Sequence, residues 1–174
     1  MDLKAVIVFG TLRATENGWL DRNTSADEPP LMLEHLWGDA LPDTDYIVSW
    51  MDDVSPLVGV YNACQWASPI DGVEIPSLDY MIVEVKLPAL YGLCRAQRLA
   101  AQNDDSEVEA LQHTCTPCDA APWGANEAWQ LGWHDTGQSD RYLLCYVDCI
   151  VEIYFNWTPT DAQKAIVGEK LGNL

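Results

Sequence analysis

The sequence predicts one α+β domain spanning residues 1–174, a mostly antiparallel sheet with two to four short helices packed on it. Three observations lead there. Apolar and polar residues alternate in short runs bounded by turn residues, the pattern of half-buried strands. Helical periodicity is confined to brief segments between those runs. Hydrophobic residues make up 48% of the chain and aromatics 10%, enough at this length to fill a sizeable core without a disulfide staple.

Taken in order, residues 5–12 are β-rich and predict a buried strand. Residues 13–30 are polar and turn-rich, closing on Pro29-Pro30, and predict a long loop. The stretch LMLEHLW at 31–37 predicts a short helix, started by proline and stopped at Gly38. Residues 45–51 predict a strand, and 57–66 a weaker one interrupted by Gly59 and Asn62. In 77–87, Met81, Val83, Val85 and Leu87 alternate with Tyr80, Ile82, Glu84 and Lys86, which is a half-buried strand. Pro88 then opens a helix in which Leu90, Leu93, Cys94, Gln97 and Ala101 share one face. Ser106 and Glu109 form a capping-box pattern for a second helix at 107–113.

The stretch HTCTPCDAAPWG at 113–124 reads as a turn-rich loop, and 127–133 as a strand. Residues 141–157 favour β structure throughout, too long a run for one strand of about 5–6 residues. A hairpin turning near Val147-Asp148 divides it. Residues 158–174 predict a C-terminal helix, with Thr158 as N-cap, Pro159 at the first position, and Ile166, Val167 and Leu171 on its apolar side.

Charge bounds the function. Nine Lys and Arg against 27 Asp and Glu give a net charge of −18. Such a chain repels nucleic acid and anionic membrane surfaces and suits a basic protein partner. The acids are scattered, in short clusters such as Asp52-Asp53, so they predict a folded acidic surface and not a disordered tail. The apolar run at 5–9 is cut short by Gly10, Thr11 and Arg13, which does not make a secretory signal. No stretch approaches the roughly 20 apolar residues of a membrane span.

Six cysteines are the natural candidates for chemistry: Cys64, Cys94, Cys115, Cys118, Cys145 and Cys149. Three readings stand. Cys115, Cys118, Cys145 and Cys149 form two short-spaced pairs that could supply four thiolates to zinc, with His113 or His134 able to replace one. The even count also makes all six disulfide candidates. Third, they are reduced structural thiols. The zinc reading is weak at its second pair, which sits in strongly β-favouring sequence. If a two-residue turn falls at Val147-Asp148, those two cysteines point to opposite faces. A redox role for Cys115 and Cys118 would need a thiol of lowered pKa at a helix start, and Asp119 opposes a thiolate there.

No catalytic residues and no cofactor site are predicted. His35, among Leu33, Leu36 and Trp37, reads as a packed or rim histidine, and His134-Asp135 are neighbours only in sequence. The chain has no nucleophile elbow, zincin pair or phosphate-binding glycine loop. Lys86, Arg95 and Arg98 concentrate positive charge and are expected to pair with the abundant acids. The eight tryptophans, spread along the chain, read as separate core anchors.

Residues 141–171 carry a hairpin, then Thr160-x-x-Gln163, then Glu169-Lys170-Leu171. This stretch resembles the C-terminal portion of small bacterial extracytoplasmic or lipoprotein-like proteins of unknown function. The resemblance implies an extracytoplasmic location and a non-enzymatic binding or accessory role, and it carries no site residues. The alternative that the charge supports is an intracellular acidic inhibitor or adaptor. It would mimic a polyanion, as DNA-mimic phage anti-defence proteins do, and dock on a basic protein.

Overall fold

The computed structural model describes residues 28–41, 47–66, 76–102, 113–133 and 137–173. Seven strands form one sheet: β1 (Ile47–Val54), β2 (Val58–Trp66), β3 (Leu78–Val85), β4 (His113–Cys118), β5 (Glu127–Trp133), β6 (Gly137–Cys145) and β7 (Cys149–Phe155). Their spatial order is β1-β2-β3-β7-β6-β5-β4. Every neighbouring pair runs antiparallel. The sheet is therefore two meanders joined where β3 pairs with β7. The helices are α1 (Leu33–Trp37), α2 (Tyr91–Ala101) and α3 (Asp161–Leu171). The α+β class with a mostly antiparallel sheet is as the patterning predicts.

Side chains alternate across this sheet, and both faces are used. The first face is the larger core. Tyr80, Ile82, Tyr142, Leu144, Val151, Ile153 and Phe155 project from the strands and meet Leu33 and Leu36 of α1, Trp123, and Val167 and Leu171 of α3. The second face holds Val83, Val85, Leu131, Leu143, Cys145 and Ile150, covered by Leu90 and Cys94 at the start of α2. The central strand β7 serves both: every residue in it but Tyr154 is buried.

Polar side chains fix the first face. The Gln65 amide donates to Leu31 O at 2.7 Å and accepts from Leu33 N at 2.8 Å, while the Tyr80 hydroxyl donates to Leu31 O at 3.0 Å. The backbone entering α1 is thus paired by side chains of β2 and β3, as buried backbone must be. Gln163 does the same for α3. It closes a capping box with Thr160 and donates to Leu36 O at 3.1 Å, tying α3 to α1. Beside it, Gly168 passes so close to Trp123 that an added Cβ would strike that residue's carbonyl oxygen.

Several elements differ from the sequence reading. HTCTPC is a strand, not a loop: β4 lies at the sheet edge, the place where Pro117 costs no internal ladder bond. His113 accordingly opens a strand and does not end a helix. β2 is continuous through Gly59 and Asn62. The N-cap of α3 is Thr160, not Thr158, because only Thr160 stands three residues before a glutamine that can bond back. The Thr158 hydroxyl instead donates to Asp140 at 3.0 Å. The α1 helix stops at Gly38, which has φ +51°. The expected strand at 5–12, the loop at 13–27, the helix at 107–112 and the His134-Asp135 pair lie outside the described residues.

Candidate functional site

The cysteines come first. Residues three apart on a strand face opposite ways, and the register shows it. Cys115 lies opposite Leu131 of the second face, and Cys118 opposite Ala128 of the first. Cys145 and Cys149 flank the β6–β7 turn, where Tyr146 N donates to Cys149 O at 2.9 Å. Cys145 joins the second core and Cys149 the first. The sheet thus divides the four cysteines into two pairs on opposite faces, Cys115 with Cys145 and Cys118 with Cys149. Among the described residues no group of three or more His, Cys, Asp or Glu is placed to hold a metal ion.

All six cysteines, Cys64 and Cys94 included, are free thiols. Within each short-spaced pair the two cysteines lie on opposite faces of the sheet. Burial is the leading cause that raises every one of the six thiols above its ordinary range. Cys145 reaches about 11 and Cys149 about 12. A nucleophilic cysteine needs the opposite shift, and the buried Cys94, Cys145 and Cys149 pack in the two cores as small hydrophobes do.

Two concavities remain. The first is a groove of about 630 Å³ on the second face. The register lays Cys64, Asp79, Tyr154 and Arg141 side by side across β2, β3, β7 and β6. Glu152 stands one step along β7. The Arg98 Nε of α2 donates to it at 2.6 Å, and Arg141 approaches its other oxygen at 3.9 Å. Partial burial raises the Asp79 carboxyl, and its hydrogen bond with Cys64 only partly opposes that. The floor is a set of mutually satisfied groups.

The second concavity, about 240 Å³, lies on the first face near the β1 edge and is lined by Pro30, Trp50, Tyr61 and Glu84. The Trp50 and Tyr61 rings stack with centroids 5.7 Å apart and planes 12° apart. Trp50 also meets Tyr80 at 6.2 Å. The Tyr61 hydroxyl donates to Glu84 Oε2 at 2.8 Å. Gly59, paired with Glu84 across the β2–β3 ladder, makes this bond possible: a Cβ there would sit 2.9 Å from both bonded oxygens. Burial, the Glu84 bond and charge, and the Asp52 charge raise the Tyr61 hydroxyl to about 12, so it stays a donor. This pocket was not legible in the sequence. Gly59 was its one local trace, read there as an interruption of the strand.

The basic residues behave as predicted where they pair. Arg95 bonds Glu127 and Arg98 bonds Glu152, while Lys86 stands exposed after β3. His35 lies on the rim, its Nδ1 accepting from Met32 N at 2.9 Å. Among the described residues no helix is long and apolar enough to cross a membrane. No protein-family model, no curated protein and no solved structure matches this chain.

Proposed function

We propose that this chain is a non-enzymatic binding domain that docks on a basic protein surface. The observation that carries the reading is how the protein spends its few cations against its net charge of −18. Arg95, Arg98, Arg141 and Lys164 are engaged by the chain's own carboxylates. Among the described residues Glu28, Glu34, Asp39, Asp119, Asp148 and Glu169 are exposed, and such a surface steers and orients a positively charged partner. The raised thiols add support, because they fit scaffold better than catalysis.

The test is directional. Binding of a short oligolysine peptide is measured at low and moderate salt for two charge-matched variants, Asp52→Asn/Asp53→Asn and Asp161→Asn/Glu169→Gln. Docking at the β1 side predicts a larger loss for the first variant and steep weakening with salt. Equal losses would mean diffuse attraction only and would remove the assignment.

A further inference from the structure

We infer that the pocket formed by Trp50, Tyr61 and Glu84 receives the guanidinium of an arginine presented by the basic partner; this rests on the docking reading above. The argument starts from two arrangements elsewhere in the molecule. Arg95 lies with its guanidinium carbon 5.1 Å from the Trp129 ring centre while its Nε donates to Glu127 at 3.0 Å. Lys164 lies 5.7 Å from the Trp123 ring centre while bonding Asp161 at 3.1 Å. In both, a cation is held by an indole face and a carboxylate together. The Trp50 pocket repeats the indole and the carboxylate, and among the described residues its lining contains no cation.

The chemistry of the lining selects the occupant. An aromatic face attracts a cation through its quadrupole, most strongly where water is partly excluded. Glu84 accepts one hydrogen bond from Tyr61 on Oε2. A carboxylate has two oxygens and several lone-pair sites, so it retains capacity for a donor from the ligand. Arginine can do both at once, because its planar fork stacks on an aromatic ring and pairs with a carboxylate. A quaternary ammonium would stack but would give Glu84 no hydrogen bond. At about 240 Å³ the cavity is smaller than the roughly 300–1,000 Å³ of small-molecule sites, the size for one side-chain head group.

The surroundings indicate a protein as its source. Val54, Leu57 and Leu87 are 52%, 41% and 43% exposed. Val54 shares a cross-strand row with Gly59 and Glu84, and Lys86 N bonds Leu57 O, so these apolar side chains lie at the same end of the sheet as the pocket. A free small cation would leave them uncovered, whereas a partner surface covers them as its arginine enters.

The experiment is two-dimensional NMR of the full chain titrated with the peptide Gly-Arg-Gly, with Gly-citrulline-Gly as the uncharged isostere. The expected result is a saturable shift of the Trp50 indole and Tyr61 ring signals with the arginine peptide alone. Glu84→Gln keeps an acceptor for Tyr61 but removes the charge, and is expected to weaken binding roughly tenfold. Gly59→Ala, which displaces only the mobile ends of Tyr61 and Glu84, serves as a second variant with the fold intact and should weaken binding as well. Equal shifts with citrulline, or binding unchanged in both variants, would overturn the assignment. Oligolysine binding that persists while the Trp50 signals stay still would sink the pocket and leave the docking reading standing. Loss of both would sink both.

Discussion

The two faces of the sheet are built from the same strands, yet they are closed in different ways. The first face is sealed by aromatic packing and by side chains that reach backbone: Trp123, Tyr142 and Phe155 in mutual contact, with Gln65, Tyr80 and Gln163 holding the chain segments above them. The second face is covered by one helix, and beside that cover Glu152 holds two guanidiniums, those of Arg98 and Arg141. The contrast teaches where this fold stores its stability and where it leaves surface free. Rigidity resides in the first face, and the open polar floor of the second costs little to expose.

The sharpest way to break the contrast is Trp123→Ala. This ring is 1% exposed and central to the first core. Its loss should cost about 3–5 kcal/mol in urea unfolding, more than any truncation at the α2 cover such as Leu90→Ala.

Alkaline pH separates the faces next. Cys149 of the first face is raised from 9.0 to about 12, and Cys145 of the second to about 11. Tyr142 is raised from 10.0 to about 12. Each group holds its proton more tightly folded than unfolded, so its contribution is whole below pH 9 and drains away as the pH climbs toward 12. The urea midpoint is expected to fall steeply above pH 9, and less steeply in Cys149→Ala than in Cys145→Ala.

Gln65→Leu tests the polar clamp alone. It leaves Leu33 N and Leu31 O without the glutamine, at about 1–3 kcal/mol for each buried group left unpaired. Tyr80 still serves Leu31 O, so the result should fall in the lower half of that range per group. The smallest effect is expected on the second face. Replacing Arg98 and Glu152 together by Met and Leu should stay within about 1 kcal/mol of wild type, whereas Glu152→Leu alone costs more. A large loss in the double variant would show that the ion pair, and not apolar contact, seats α2.

Much of this was legible in the chain. A period-two run located β3, residues 127–133 read as the strand that is β5, and the length of the 141–157 run required the β6–β7 turn where it falls. The consequence for Cys145 and Cys149 followed from parity alone. What misled was local composition. Pro117 and the polar residues around it look like a loop because an edge strand tolerates what an inner strand cannot. Thr158 reads as the cap of α3 because Pro159 follows it, whereas the Thr160-x-x-Gln163 capping box, also local, is what the helix uses. The Trp50 pocket was hidden for a different reason. Its members come from four separate segments and meet only through the β1–β2–β3 register, which no local pattern encodes.

The strand order has one further consequence. Every hairpin in β1–β3 and in β4–β7 closes within its own meander, and β3 with β7 is the single seam between them. Helix α2 belongs to the first meander by sequence yet packs on Leu143, Cys145 and Ile150 of the second. The sheet is therefore divisible at one ladder. Two fragments separated between α2 and β4 would each present a strand edge shaped for the other, with α2 as a clasp.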